Sequence, residues 1–305
     1  MKVFIAGIDG LEYELVVRWR LRGLMQRYYG RHDVTVAVRP GEPLYTPFIW
    51  ASFLLGRPSY ELGFSYSRQR VERDAQAYPP LLRLFYKLRV RLLGYRSLGI
   101  RRLLVKLGLY SFERAGAAAE KYETMPGELV EHTFVAKAEK MGYRVWFKEF
   151  PSLRDPTFAQ HRVGLTKLFD ADYGERIRFL YDMLDRAEKD FHEAARMLDE
   201  YDLVLYYTSV IDEAHHLIYR PDSLKLMTVL RSIYGRVEKM IAELAGKKGG
   251  RVAILVVSDH GYDSRLHEHS PYGYWSLNVE PPRRPEKVTD FHDIVLELLE
   301  KPPKG

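Results

Sequence analysis

Cysteine is absent from the sequence. Disulfides, thiolate metal ligands and a cysteine nucleophile are therefore excluded. Side-chain amides are almost absent too: one Asn (Asn278) and four Gln (Gln26, Gln69, Gln76, Gln160) in 305 residues. Few thermolabile amides beside abundant Arg, Lys and Glu is the composition expected of a thermophile's protein. No apolar run approaches the roughly 18 residues of a membrane span. The N-terminus enters an apolar strand at once, without the charged region, apolar core and cleavage site of a signal peptide, so a cytoplasmic protein is expected. With 46% hydrophobic and 29% charged residues, the chain has the makings of a folded globule rather than a disordered one.

The net charge of +6 is unevenly placed. Residues 61–125 hold 13 Lys/Arg and 6 Asp/Glu, and the remainder is close to neutral. A basic balance confined to one segment is no sign of a nucleic-acid binder throughout.

Short runs rich in Val, Ile and Leu alternate with helical stretches. The pattern predicts strands at Val3–Ile8, Val34–Val38, Arg144–Phe147, Leu203–Ile211 and Val252–Val257. It predicts helices over Glu12–Tyr29, Pro47–Gly56, Glu128–Met141, Tyr173–Glu200, Pro221–Leu244 and Val288–Leu299. Apolar strands separated by helices imply a mostly parallel sheet buried on both faces, an α/β fold layered helix–sheet–helix. Residues 60–125 break the rhythm. Core segments 1–59 and 126–305 with a cationic, mostly helical insert or cap at 60–125 are the expected organisation.

Three apolar strands lead into aspartates: Asp9, Asp212 and Asp259. In open α/β sheets ligands bind beyond the carboxyl ends of strands. Three carboxylates at one edge repel each other, and a divalent cation is the usual neutraliser. Histidines follow two of them, in Asp212–His216 and in Asp259–His260 with His269 beyond. Such Asp/His mixtures suit zinc, manganese or iron better than calcium. Taken singly, each group has a structural alternative. Asp9-Gly10 also makes a turn, Thr46 before Pro47 also makes an N-cap, and Asp212 with His216 also makes a helix-surface pair. His215 rivals His216, and His267 rivals His269.

Together these residues resemble a known family. Ile8-Asp9-Gly10, Thr46-Pro47-x-x-Trp50-Ala51-Ser52-Phe53-Leu54-x-Gly56, Asp212-x-x-x-His216, Ser258-Asp259-His260-Gly261 and His269 are similar, in order, to the type I phosphodiesterase/nucleotide pyrophosphatase branch of the alkaline phosphatase superfamily. The segment Ser270–Asn278 resembles the family's sequence after its last metal histidine and favours His269 over His267. The resemblance implies a phosphoester hydrolase, most simply a phosphodiesterase, with two divalent ions, zinc first and manganese or iron as alternatives. Asp212, His216 and His269 would hold one ion, and Asp9, Thr46, Asp259 and His260 the other. Thr46 would be the nucleophile, forming a phosphothreonine intermediate. Paired cations suit in-line displacement at phosphorus. A phosphomonoesterase or phosphomutase on the same site, or an inert member binding anionic lipid or a protein, are the rival readings. The family's phosphate-binding asparagine has no counterpart, because Asn278 lies past the metal motif. Without cysteine, and with threonine at the nucleophile position, a sulfatase is not expected.

Between Leu81 and Lys106 there are eight Lys/Arg and no acid. On a helical wheel Arg83, Lys87 and Arg91 fall together, opposite Leu81, Leu84, Phe85, Leu88 and Leu92. The first expectation is a cap packed over the site, with its basic face solvated or lining the entrance. The second is peripheral contact of residues 81–106 with an anionic membrane or lipid substrate. No stacking pattern or module supports nucleic-acid binding. The expected substrate is a small phosphoester derived from a nucleotide or a lipid.

Overall fold

The computed structural model describes residues 1–93, 109, 122–154, 168, 171–248, 250–264 and 268–302. Its strands are β1 (Lys2–Ile8), β2 (Tyr28–Asp33), β3 (Val145–Phe147), β4 (Leu203–Thr208), β5 (Val252–Val257), β6 (Tyr262–Asp263), β7 (Glu268–His269) and β8 (Tyr272–Leu277). Its helices are α1 (Tyr13–Arg18), α2 (Arg22–Met25), α3 (Thr46–Leu55), α4 (Tyr66–Gln76), α5 (Pro80–Leu93), α6 (Gly127–Val130), α7 (Phe134–Lys140), α8 (Tyr173–Met197), α9 (Val210–Ile218), α10 (Leu224–Lys248) and α11 (Phe291–Glu300).

Six strands form one sheet in the order β2-β8-β5-β1-β4-β3. The central strand β1 is parallel to both neighbours, with Val3 opposite Leu203 on one side and Ala253 on the other. β3 continues the parallel set beyond β4, while β8 is antiparallel to β5 and to β2. Alternate residues of the central strands feed two cores. Phe4, Ala6, Val204, Tyr206, Ile254 and Val256 pack with α8, α9 and α10. Val3, Ile5, Leu203, Leu205, Ala253 and Leu255 pack with α3, α7 and α11. Burial on both faces is why these strands read as unbroken apolar runs. The fold is α/β, a mostly parallel central sheet sandwiched by helices.

Several predicted boundaries are corrected. The helix expected over Glu12–Tyr29 is two short helices and a strand, because Arg20 and Gln26 take positive φ (53 and 49) and reverse the chain. The strand expected at Val34–Val38 is a 3-10 turn at Thr35–Ala37, and the true strand is β2, which pairs with β8. Glu128–Met141 divides at Thr133, whose hydroxyl accepts from the Ala136 amide and opens a new helix. The predicted strand Leu203–Ile211 ends at Thr208 and α9 begins at Val210, so Asp212 stands in the first turn of a helix. Val288–Leu299 begins as a 3-10 turn before α11.

The described part of the 60–125 segment is mostly helical, chiefly α4 and α5. Of the run 81–106, residues 94–106 lie outside the described residues. α4 and α5 pack together, with Lys87 Nζ paired to Glu72 at 2.6 Å and the Tyr86 hydroxyl 3.5 Å from Asp74 Oδ2. Arg83 donates from Nε to the Tyr78 carbonyl. The expected free basic face is therefore partly spent on partners within the segment. An internal cluster ties α4 to the core: Arg73 bridges Asp74 and Glu123, and the Tyr45 hydroxyl donates to Glu123 at 2.7 Å. No described helix is long and apolar enough to cross a membrane.

Candidate metal centre

The parallel strands deliver their polar residues to one edge. Asp9 follows β1, and its amide bonds to the Thr208 carbonyl at the end of β4. Asp259 and His260 follow β5. α9 carries Asp212 and His216 on one side, a single turn apart. His269 arrives from β7, which pairs Tyr262 with His269.

Two groups of three result. The ligand atoms of Asp9, Asp259 and His260 lie within 4.8 Å of one another, and so do those of Asp212, His216 and His269. His260 Nε2 is 3.1 Å from Asp9 Oδ1 and 3.4 Å from Asp259 Oδ2. Asp212 Oδ1 is 3.4 Å from His216 Nε2 and 3.9 Å from His269 Nε2. The groups adjoin, because the His260 and His269 rings stack with centroids 3.6 Å apart.

Backbone carbonyls fix which nitrogen faces the centre. His260 Nδ1 donates to the Gly261 carbonyl at 2.9 Å, and His269 Nδ1 to the Leu44 carbonyl at 3.0 Å. Each ring thereby presents Nε2 to the carboxylates, the arrangement of metal-ligating histidines. His215, the rival of His216, turns into the core, 2.9 Å from the Tyr234 hydroxyl. His267 lies outside the described residues.

Charge at this edge is poorly balanced by the protein alone. Both carboxylate oxygens of Asp259, and Oδ1 of Asp9 and of Asp212, are buried and face no polar group but the neighbouring imidazoles and carboxylates. Burial, reinforced by Asp9, pushes Asp259 well above the carboxylate range. Burial opposes the charged form of His260, but Asp259 and Asp9 outweigh it and raise the ring to about 10. Burial, with His260 nearby, lowers His269 to about 4. Burial also works against ionised Asp212, yet His216 holds that carboxylate far below its ordinary value. Carboxylates facing imidazole Nε2 atoms match divalent cations, and the Asp/His donor set suits zinc, manganese or iron. The residues present fit two such ions.

Thr46 is the first residue of α3, with Tyr45 at the cap position. The structural alternative, Thr46 as N-cap, does not hold. Its Oγ1 instead lies 3.5 Å from His260 Nε2, among the ligand candidates. The amides that follow offer little to a phosphate, since Pro47 has none and that of Phe48 already bonds to the Tyr45 carbonyl. Asn278 is structural, bridging the Ile254 amide and the Val252 carbonyl.

The structure adds supporting residues that sequence reasoning missed. Glu12 is buried where the β1 exit meets the β5 exit. Its Oε2 accepts from the Tyr262 amide at 2.7 Å and its Oε1 from the Glu14 amide at 3.0 Å. A Cβ at Gly261 would stand 2.2 Å from Glu12 Oε2, so only glycine admits this contact. The Glu12 amide in turn donates to the Tyr234 hydroxyl beside His215. One side chain thus braces the segment carrying Asp259 and His260, and its backbone reaches toward α9. Gly10, at φ 69, is the second enforced glycine: a Cβ there would meet Asp212 Cα at 2.8 Å. Tyr207 donates to Asp9 Oδ2 at 2.7 Å and orients it. The only sequence signal for Glu12 was a second acid, three residues after Asp9, at the exit of β1.

The sequence pattern of the type I phosphodiesterase/nucleotide pyrophosphatase family matches residues 112–271, just over half of the chain. A comparison with curated proteins found no match. Among solved structures the chain is similar to a protein from Pyrococcus horikoshii at 12% identity, covering 100% of this chain and 98% of that one with a TM-score of 0.49. It is similar to murine ectonucleotide pyrophosphatase/phosphodiesterase 5 at 13% identity, covering 87% of this chain and 59% of that one with a TM-score of 0.38. It is also similar to phosphonoacetate hydrolase from Sinorhizobium meliloti in complex with phosphonoformate, at 16% identity, 88% and 59% coverage and a TM-score of 0.38. The chain spans less than two thirds of the length of the latter two.

Proposed function

The chain belongs to the type I phosphodiesterase/nucleotide pyrophosphatase family, and on that premise we propose that it is a divalent-metal-dependent phosphodiesterase using Thr46 as nucleophile. The observation that carries the reading is the convergence of two Asp/His triads beside a threonine hydroxyl at the carboxyl edge of the sheet. Asp212, His216 and His269 would hold one ion, and Asp9, Asp259, His260 and the Thr46 oxygen the other. Bound ions supply positive charge for the phosphate oxygens and lower the proton affinity of a hydroxyl they touch.

The chain's own residues account for the rest. The Thr46 proton passes to solvent water as the Thr46 oxygen attacks phosphorus. A bond from Thr46 to phosphorus forms as the bond to the leaving alcohol breaks, and that alcohol departs with a proton taken from solvent. Water then hydrolyses the phosphothreonine and restores the hydroxyl. Leu44 and Gly261 hold the His269 and His260 rings by their carbonyls, and Tyr207 orients Asp9. The acceptor for the Thr46 proton need not be a side chain once its hydroxyl is acidified.

The test pairs elemental analysis with turnover of a chromogenic phosphodiester. Purified protein should hold up to two divalent ions, lose activity to a strong chelator and regain it with zinc or manganese. Thr46→Ala should lower kcat at least about a thousandfold while the thermal midpoint stays near the parent's, since an oxygen nucleophile is lost without a large core cavity. Near-parental turnover by that variant would remove Thr46 from the mechanism, and full activity in metal-free protein would overturn the metal dependence.

A further inference from the structure

Helix α5 turns its apolar stripe outward. Leu81, Leu84, Phe85, Leu88 and Leu92 are 84%, 73%, 68%, 51% and 73% exposed. Their spacing places them on one helical face. The other side, carrying Tyr86, Lys87 and the buried Val90, meets α4 through Asp74 and Glu72. Single exposed apolar residues are ordinary, but five large ones in a continuous stripe mark a contact surface.

Charge selects the occupant. From Ala75 to Phe112 the sequence holds no acid, and eight Lys/Arg fall between Leu81 and Lys106. Arg91 is exposed beside Leu88 and Leu92. A second copy seated on this face by a two-fold axis would bring together two α5 helices that each carry Arg83, Lys87, Arg89 and Arg91 and no acid. An anionic phospholipid surface satisfies both features, since the apolar side chains enter the acyl boundary and the exposed Arg91 meets headgroup phosphates. At 14 residues with four Lys/Arg, α5 is too short and too charged to cross a bilayer and would lie in its interfacial plane.

We propose that α5 is a membrane-docking helix that lays its Leu81–Leu92 face into an anionic phospholipid interface. The assignment is independent of the chemistry at the sheet edge, so either can fail alone.

Co-sedimentation of the full chain with vesicles tests it. Vesicles of zwitterionic phospholipid are compared with vesicles that also contain anionic phospholipid, across a range of salt. The parent should sediment with the anionic vesicles, less with the zwitterionic ones, and more weakly as salt rises. The triple variant Leu84→Ser, Phe85→Ser, Leu88→Ser should partition roughly a hundredfold more weakly, because three apolar side chains no longer leave water. Its helical content, thermal midpoint and turnover of a soluble diester should match the parent's. Arg91→Glu, which leaves the apolar stripe intact, should weaken binding to anionic vesicles roughly tenfold. A parent that stays in the supernatant with both vesicle types overturns the proposal, as does a triple variant that binds like the parent. Light scattering that finds a dimer lost in the triple variant, with no vesicle binding by the parent, would assign the face to a second copy instead and also overturn it.

Discussion

The carboxyl edge of the sheet and the α4–α5 segment use side chains in opposite ways. At the edge, ionisable groups are buried among apolar walls, with Asp259 and His260 fully enclosed. On α5, large apolar groups stand in solvent while Lys87 and Arg83 are engaged by neighbours. Both arrangements are costly for a folded chain alone. A buried carboxylate without a donor loses its hydration, and an exposed leucine stripe keeps apolar surface in water. Each cost points to something outside the polypeptide that offsets it: cations at the edge, and an apolar, anionic surface at the helix.

The sharpest way to break the edge half of this contrast is to remove one imidazole at a time. His216→Ala and His269→Ala should each weaken metal binding at least about a hundredfold, since losing even an outer-shell partner of a metal ligand costs about 10–100-fold. His215→Ala should behave differently. It leaves the buried Tyr234 hydroxyl without its imidazole partner, so it should cost about 2 kcal/mol of stability and leave metal stoichiometry intact. Metal titration and chemical denaturation on the same three proteins separate the outcomes. Equal metal loss in all three would mean that α9 presents both histidines to the centre.

Glu12 sits one layer back, and its effect should be intermediate. Gln at this position keeps the shape but has one acceptor oxygen, whereas the Tyr262 and Glu14 amides occupy both oxygens of the glutamate. Glu12→Gln should therefore weaken metal binding about 10-fold, measured by competition with a chromophoric chelator. Parental affinity in that variant would reduce Glu12 to a core carboxylate with no bearing on the centre.

The edge was legible because its physics is local. Strands β1, β4 and β5 are buried on both faces, so each is an apolar run, and the polar residues that end or follow them stand out. What depended on distant pairing was not legible. β8 and β2 find each other across more than two hundred residues. The β6–β7 ladder that brings His269 to His260 is only two residues a side. The reversals at Arg20 and Gln26 carry neither glycine nor proline to announce them. Glu12 matters because the β1 exit passes the β5 exit, a relation created by the sheet. For α5, periodicity identified the two faces correctly. It was silent on which face meets the protein, because the inward side, through Tyr86 and Lys87, is as polar as it is apolar.

Acid sharpens the contrast next. His32 on β2 is buried, its ring edge-on to Phe291 with centroids 5.0 Å apart, and burial holds it down to about 3. Its folded pKa is thus depressed below the ordinary 6.5, and the unfolded chain takes up the proton first. Stability is intact above pH 6.5 and is lost as pH falls from 6.5 toward 3. One such group accounts for about 2 kcal/mol between pH 6.5 and 5. Urea midpoints of the parent should fall over that interval more steeply than those of His32→Asn, whose slope lacks this proton. Parallel slopes would mean that His32 is protonated in the fold.

The smallest effect belongs to the Lys87–Glu72 pair. Its geometry is close, at 2.6 Å, but the two side chains are 40% and 38% exposed. Water and salt screen a pair in that position, and holding two long side chains together costs rotamer entropy. Lys87→Ala should therefore change stability by less than about 0.5 kcal/mol at moderate salt, and the difference should shrink further as salt rises. Because Lys87 lies on the α4 side of the helix rather than on the Leu81–Leu92 stripe, the variant should also keep most of its affinity for anionic vesicles. Denaturation at two salt concentrations, beside the vesicle assay, checks both statements. A loss of several kcal/mol would show that the pair clamps α5 against α4. The outward stripe would then depend on an electrostatic latch, and the two regions would differ less than their exposure implies.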